Sequence, residues 1–421
     1  MKEPKIRFKG FRGEWEEAPF SETFDYLKNN SLSRAELSDG GVVMNIHYGD
    51  VLIKYGECVD VSKEVKTFVK EEYVAKKLHQ SCAITNGDII FADAAEDNTV
   101  GKCSEIIAKE DDAIVSGLHT IACRPKKDFA PMYLGYYLNS NAYHDQLLPH
   151  IQGTKISSIS KKAISLTEIS SPIDKNEQRA IASYFQRLDS LIQSTTKKIE
   201  SLKQVKGASL QSMFPKEGET TPRVRFKGFE GEWEKVTIKD VATFLKGRGY
   251  SKSDLRVKGT PIILYGRIYT KYEACITNVD TYVNPLPNSI YTLGNEVVIP
   301  ASGETPEDIS CASAIKVRGI ILGGDLNILR FDTDYYDTTF VAFSLSNGKA
   351  KKDLSNMAQG KSVVHLHNSD IEKVDMFIPS FVEQQQIASY FTNLDRQITL
   401  QTQRLEKLKQ IKSACLDNMF V

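Results

Sequence analysis

None of the seven cysteines (Cys58, Cys82, Cys103, Cys123, Cys275, Cys311 and Cys415) pairs with another in a C-x-x-C motif, and their number is odd. That pattern argues against a disulfide framework or a zinc knuckle and leaves single reduced thiols. No run approaches the roughly 18 apolar residues that cross a bilayer, so no membrane partner is expected. The opening MKEPKIRFKG is polar and charged, unlike a secretory leader, and the expected location is cytoplasmic. An excess of either charge is also missing. The 54 basic and 54 acidic residues cancel, so any nucleic-acid binding must rest on a local pattern rather than on bulk charge. Catalytic signatures are absent as well: there is no G-x-x-x-x-G-K-[ST], no H-E-x-x-H, no G-x-S-x-G and no Pro-Pro-aromatic motif. KGRGYSK at Lys246 lacks the third glycine of a dinucleotide fingerprint, and His365 and His367, two apart, read as a polar loop rather than a metal pair. No catalytic residue and no metal ligand is expected.

Tryptophan occurs only twice, and both copies end the same phrase: RFKGFRGEW from Arg7 to Trp15 and RFKGFEGEW from Arg225 to Trp233. Further matches follow in the same order. HYGDV at His47 answers LYGRI at Leu264. NGDIIFADA at Asn86 answers the stretch around Gly294, and Gln152-Gly153 answers Gln359-Gly360. EQRAIASYFQRLDSLI from Glu177 answers EQQQIASYFTNLDRQI from Glu383. Order preserved over this many segments is a tandem duplication of a module of about 210 residues. The ends agree closely and the middles only in outline. That is the pattern of one frame with two different exposed surfaces, and equally of loops that tolerate drift.

After Pro172 and Pro379 glycine and proline nearly vanish, and the apolar residues fall on a stripe of alternating 4 and 3 spacing. The stripe runs Ile181, Phe185, Leu188, Ile192, Ile199, Leu202 in the first copy and Ile387, Phe391, Leu394, Ile398, Leu405, Leu408 in the second. This predicts two helices, each roughly 50–55 Å long at about 1.5 Å per residue, with a coiled-coil seam. Thr195 and Gln401 hold the equivalent polar seam position. Neither stripe can bury itself, so pairing within the chain, antiparallel, is expected. The later half of each helix is basic (Lys197, Lys198, Lys203, Lys206; Arg404, Lys407, Lys409, Lys412), which suits phosphates, an acidic partner or a solvated face near a helix C-terminus.

The middles read as mixed α and β, with strands at IIFA, VVIP, TIACR and LNILRF and polar Gly/Ser/Thr/Asn loops between them. The order module, long helix, module, long helix, with RFKGF-x-GEW, YG, G-[DN]-x-[IV] and EQ-x-x-IASYF-x-x-LD in each half, resembles the specificity subunit of type I restriction–modification systems over essentially the whole chain. The resemblance implies an α+β fold. Two globular mixed α/β target recognition domains (1–172 and 215–380) would be separated by two conserved long helices (173–214 and 381–421) that pair as an antiparallel coiled coil, with an internal pseudo-twofold repeat. It implies a non-catalytic subunit of a methyltransferase/endonuclease complex. Each recognition domain would read half of a bipartite double-stranded DNA target, while the helices set the spacing and dock methylation subunits, two of them; restriction subunits would join the full complex. S-adenosylmethionine, ATP and Mg would belong to those partners, and this chain would hold no cofactor. The residues expected at DNA are Asn98, Lys102, Thr154, Lys155, Ser157 and Lys161 in the first domain. In the second they are Arg248, Lys252, Arg267, Ser302, Thr305, Lys361 and His365. The two stripes would be helix seam or partner interface. The competing reading is a coiled-coil interaction scaffold that binds no DNA.

Overall fold

A computed structural model describes residues 3–421. The two predicted helices are present as Lys175–Ser212 and Phe381–Asn418, each 38 residues long. By contact the chain divides into two compact units. One holds the described residues up to Thr196 together with Arg404–Val421; the other is Lys197–Gln403. This partition by contact differs from the four consecutive segments read from the sequence, because each unit takes part of both helices.

In the first unit a five-stranded sheet runs in the order Phe24–Tyr26, Thr120–Pro125, Ile89–Ala92, Cys103–Ile107, Cys58–Asp60, antiparallel except for the last pair. The second unit repeats it as Ala242–Lys246, Leu326–Phe331, Glu296–Pro300, Ser313–Ile315, Cys275–Ile276, again with only the last pair parallel. The central strands Ile89–Ala92 and Glu296–Pro300 are buried on both faces and, apart from Glu296 at the start of the second, apolar. Ile89 and Phe91 enter the core that includes the long helix, while Ile90 and Ala92 point into the opposite core. Val297 and Ile299 alternate with Val298 in the same way. Each unit adds a small four-stranded sheet containing one parallel pair, Met44–Ile46 with Ile114–Ser116 and Thr260–Ile263 with Arg318–Leu322.

The repeated phrase has a mechanical role. Arg7 makes a two-pronged ion pair with Glu177 (Nε to Oε1 2.7 Å, a terminal nitrogen to Oε2 2.8 Å) and donates to the Gly13 carbonyl at 2.7 Å. Arg225 does the same with Glu383 and Gly231. Both carboxylates are almost fully buried, so the planar guanidinium fork matters; a point charge could not satisfy both oxygens. The glutamine after each glutamate stitches the preceding loop: Gln178 accepts from Ala130 N–H and donates to the Pro172 carbonyl, and Gln384 accepts from Asp337 N–H and donates to the Pro379 carbonyl. The phrase therefore clamps the start of each long helix to its unit.

Within each unit the two helix segments run antiparallel. In the first, Tyr184 meets Cys415, Phe185 stacks on Phe420 and Lys412 binds Asp189 at 2.6 Å. In the second, Tyr390 meets Ser209, Phe391 stacks on Phe214 and Asp395 binds Lys206. Ile181, Phe185 and Leu188 are buried in one unit, and Ile387, Phe391 and Leu394 in the other. Leu408 packs on the first core and Leu202 on the second; Ile199 is buried, and Ile192, Ile398 and Leu405 are half-buried. A Met-Phe doublet ends each segment. Phe420 lies against Trp15 (6.4 Å between ring centres), Tyr133 (6.0 Å) and Tyr137 (5.7 Å), while Phe214 lies against Trp233 (6.4 Å) and Phe340 (5.8 Å). Behind each plug sits a matched latch. Lys412 reaches Glu57 and Asp189 at 2.6 Å each, over the Tyr136 ring; Lys206 reaches Asp395, over the Phe343 ring. Burial alone would lower the Lys412 ammonium, but the two carboxylates outweigh it and hold it above its ordinary value.

Truncating Phe420 to alanine should destabilise the first unit by roughly 3–5 kcal/mol, the range for a buried aromatic. Chemical denaturation should show one transition weakened and the other unmoved. An unshifted curve would mean that the terminal Phe is not part of that core.

Candidate nucleic-acid interface

The fold gathers one set of loops at one edge of each unit. They follow the parallel strand pair of the small sheet and flank the central strands of the large one. In the first unit Ile46 leads into His47-Tyr48, Ser116 into Gly117–His119, and Ala92 into Asp93; Asn29 and Asn30 bond the Gly117 and Ser116 carbonyls. In the second unit Ile263 leads into Leu264-Tyr265, Leu322 into Gly323–Asp325, and Pro300 into Ala301-Ser302. Here Arg248 N–H donates to the Leu322 carbonyl, and Gly324 N–H to that of Gly249. A shared backbone relay ties the edge together. Asp93 N–H donates to the His119 carbonyl (3.1 Å) and Ile159 N–H to the Asp93 carbonyl (2.9 Å). Ala301 N–H donates to the Asp325 carbonyl (2.7 Å) and Leu366 N–H to the Ala301 carbonyl (3.0 Å).

From this edge projects a hairpin in each unit. Ser157–Ser158 pairs with Ala94–Ala95, and Val364–His365 with Ser302–Gly303. Its base is closed by Gln152 with Ser158 and by Gln359 with His365, through reciprocal N–H to carbonyl bonds of 2.7–3.0 Å. Gly153 and Gly360 make the turn at φ 109° and 134°, and a Cβ at either would lie 2.0 Å from the carbonyl oxygen of Ile156 or Val363. The matched Gln-Gly pairs of the sequence are thus explained by backbone geometry. The tips expose Thr154, Lys155 and Ile156 in one unit, and Lys361, Ser362 and Val363 in the other. Donors, cations and an apolar side chain on a short two-stranded ribbon can contact phosphates, base edges and thymine methyls in a groove.

Most of the residues expected at DNA map to these loops or their flanks. Asn98 is exposed in the turn after Ala94–Ala95; Thr154, Lys155 and Ser157 lie in the hairpin; Arg248, Lys361 and His365 are exposed. Lys161 is exposed, with its ammonium 5.5 Å over the Tyr26 ring and donating to the Leu27 carbonyl at 3.3 Å. Lys252 is exposed in a 3-10 turn (Lys252–Asp254), and Thr305 caps the short helix Pro306–Ile309 through a capping box.

Three residues are not offered for reading. Lys102 is turned inward: its ammonium donates to the Leu52 and Tyr55 carbonyls at 2.9 and 3.0 Å, at the end of the helix Tyr48–Ile53, and burial lowers its pKa. Arg267 has a side chain only 9 % exposed, paired with Glu273 at 2.7 Å. Ser302 is buried and bonds Asp325 at 3.2 Å. All three have the composition of loop polars, and polarity alone does not tell an inward from an outward side chain.

Conversely, Tyr48, His119, Asn29 and Asp325 sit on the edge although they are not among the residues expected at DNA. Their signal was the YG match and the matched approach to the strands at Thr120 and Leu326. Position 50 and its counterpart 267 carry opposite buried charges. Asp50 is held by Arg34 and Lys54 at 2.8 and 2.9 Å; burial raises its pKa, but these cations overcome that and leave it lowered. The frame thus tolerates different electrostatics in its two copies.

A chain built of two such units on long helices defines the class. The chain belongs to the family of the type I restriction modification DNA specificity domain, whose model matches residues 12–204 and 230–410. Among relatives in Methanocaldococcus jannaschii it is similar to the putative type I restriction enzyme MjaX specificity subunit, with 23% identity over 83% of this chain and 80% of that protein. It is also similar to the type I restriction enzyme MjaVIII specificity subunit, with 22% identity over 68% of each. Its fold matches the crystal structure of a type I restriction–modification S subunit from M. genitalium, with a TM-score of 0.63, 14% identity, and 100% and 99% of the two chains covered. A second match is a chain from a structural study of complex assembly and conformational transition of the type I R-M system, with a TM-score of 0.52, 17% identity and 97% and 98% coverage. The chain is a type I specificity subunit by family, with a DNA-recognition role; the scaffold reading is not favoured.

Gly360→Ala should distort the turn of the second hairpin and reach the core only at its margin, beside Val364. DNA binding by the intact complex should weaken and sequence preference should relax in one half-site, with the melting curve little changed; unaltered DNA selection would remove the hairpin from the interface.

Proposed function

We propose that each unit presents its hairpin edge to one half of a split double-stranded DNA target. Residues 1–172 and 215–380 act as the two recognition domains, and 173–214 and 381–421 act as the ruler between half-sites. The observation that carries this reading is one backbone relay, built twice, that displays unlike side chains: a duplicated frame with divergent display suits two unlike half-sites. Thr154, Lys155, Ser157, Lys161 and Asn98 would face DNA from the first unit. Arg248, Lys252, Thr305, Lys361 and His365 would do so from the second. Exposed cations among them position the duplex on its phosphates, and the smaller polar groups read base edges. Outward positions along the long helices dock two methylation subunits, with restriction subunits joining the larger assembly in the cytoplasm. The chain performs no chemistry of its own. S-adenosylmethionine, ATP and Mg act on the partner subunits.

A methylation map of a host carrying this gene and its partners tests the reading. A split adenine-methylated motif should vanish when the gene is deleted. Replacing residues 20–170 with another domain of the family should change one half of the motif only; a change in both halves contradicts the modular account.

A further inference from the structure

Five non-glycine residues among those described have a left-handed backbone: His119, Met132, Tyr250, Asn288 and Asp325. Only His119 (φ 53°) and Asp325 (φ 55°) occupy matched places, each one residue before a central strand. His, Asn and Asp tolerate this conformation better than most, but it costs free energy and persists where the surroundings impose it. Here the relay imposes it, since each carbonyl accepts the N–H of the neighbouring strand end. Each side chain is also steered. His119 Nδ1 lies 3.1 Å from Asp93 Oδ1, and its ring sits edge-on to Tyr48 at 5.3 Å. Asp325 Oδ2 accepts the Ser302 hydroxyl at 3.2 Å. Both residues are exposed at the foot of the hairpin. One further atom of each, His119 Nε2 and Asp325 Oδ1, has no partner of its own among these contacts.

We propose that this position is a specificity determinant in each unit, with Asp325 selecting a base that presents an exocyclic amino group, cytosine or adenine, and His119 reading a different base in the other half-site. The inference rests on the DNA-reading role proposed above. An ionised carboxylate only accepts hydrogen bonds. Near phosphates it is repelled, so an amino donor compensates it, whereas guanine O6 and N7 or thymine O4 leave two acceptors face to face. Imidazole at the matched place carries no such exclusion, so one frame yields two different readings.

The test is selection of duplexes from a random-sequence pool by the complex of this chain with its methylation subunits, using the wild type, Asp325→Asn and His119→Asn. Asparagine suits the left-handed backbone, and its amide both donates and accepts. Asp325→Asn should relax a cytosine or adenine preference by about tenfold at one position of one half-site, and His119→Asn should change one position of the other. Asp325→Gly, which fits the same φ without a side chain, should erase the preference at that same position and decides the matter if the Asn variant melts early. A wild-type motif left unaltered by all three variants, or altered in both halves by one of them, overturns this inference alone. A wild type that selects no split motif overturns the DNA-reading proposal itself.

Discussion

Each unit depends on an aromatic plug delivered by the end of a long helix. Phe420 and Phe214 fill matched cavities walled by tryptophan and by the aromatic faces of Phe185 or Phe391. Without the plug the tryptophan and the buried helices Tyr133–Leu138 and Thr338–Leu345 would lose the surface they pack against. Burial of this much aromatic area is strongly favourable. The Arg–Glu clamps and the Lys latches act on top of it: they fix the direction and depth of the helix segments, because buried charges tolerate few geometries. Antiparallel pairing follows, since a plug at one end and a clamp at the other admit one orientation.

That division of labour explains why the two halves agree where they do. Arg7, Trp15, Glu177 and Gln178, with their counterparts, serve the frame and have little freedom to change. The exposed side chains of the hairpin edge lie outside the cores, so Lys155 can stand opposite Ser362 and His119 opposite Asp325. Even a buried position, Asp50 against Arg267, has changed sign, because each charge found local partners of its own.

Much of this was legible in the sequence. The helices at Lys175–Ser212 and Phe381–Asn418 announced themselves through apolar spacing over many turns, and the strands at Ile89–Ala92 and Glu296–Pro300 through runs covered on both faces. The Met213-Phe214 and Met419-Phe420 doublets were in plain sight, yet their meaning as plugs depends on contacts across the fold that spacing does not reveal. The geometry of the candidate edge was half legible. The Gln-Gly pairs marked the hairpins because a turn geometry demands glycine. The inward turn of Lys102 and Arg267 was hidden, since both have the composition of surface loops. His119 and Asp325 were hidden for another reason: a left-handed backbone at a non-glycine residue leaves no sequence mark of its own.

Native-state hydrogen exchange tests most directly whether the closing helix segment belongs to the core it plugs. If it does, amides across 408–418 should open at the same free energy as those of 181–192 and of the strand Ile89–Ala92, as one cooperative unit. Exchange of 408–418 through separate, low-energy openings, while 181–192 and 89–92 stay protected, would contradict the account.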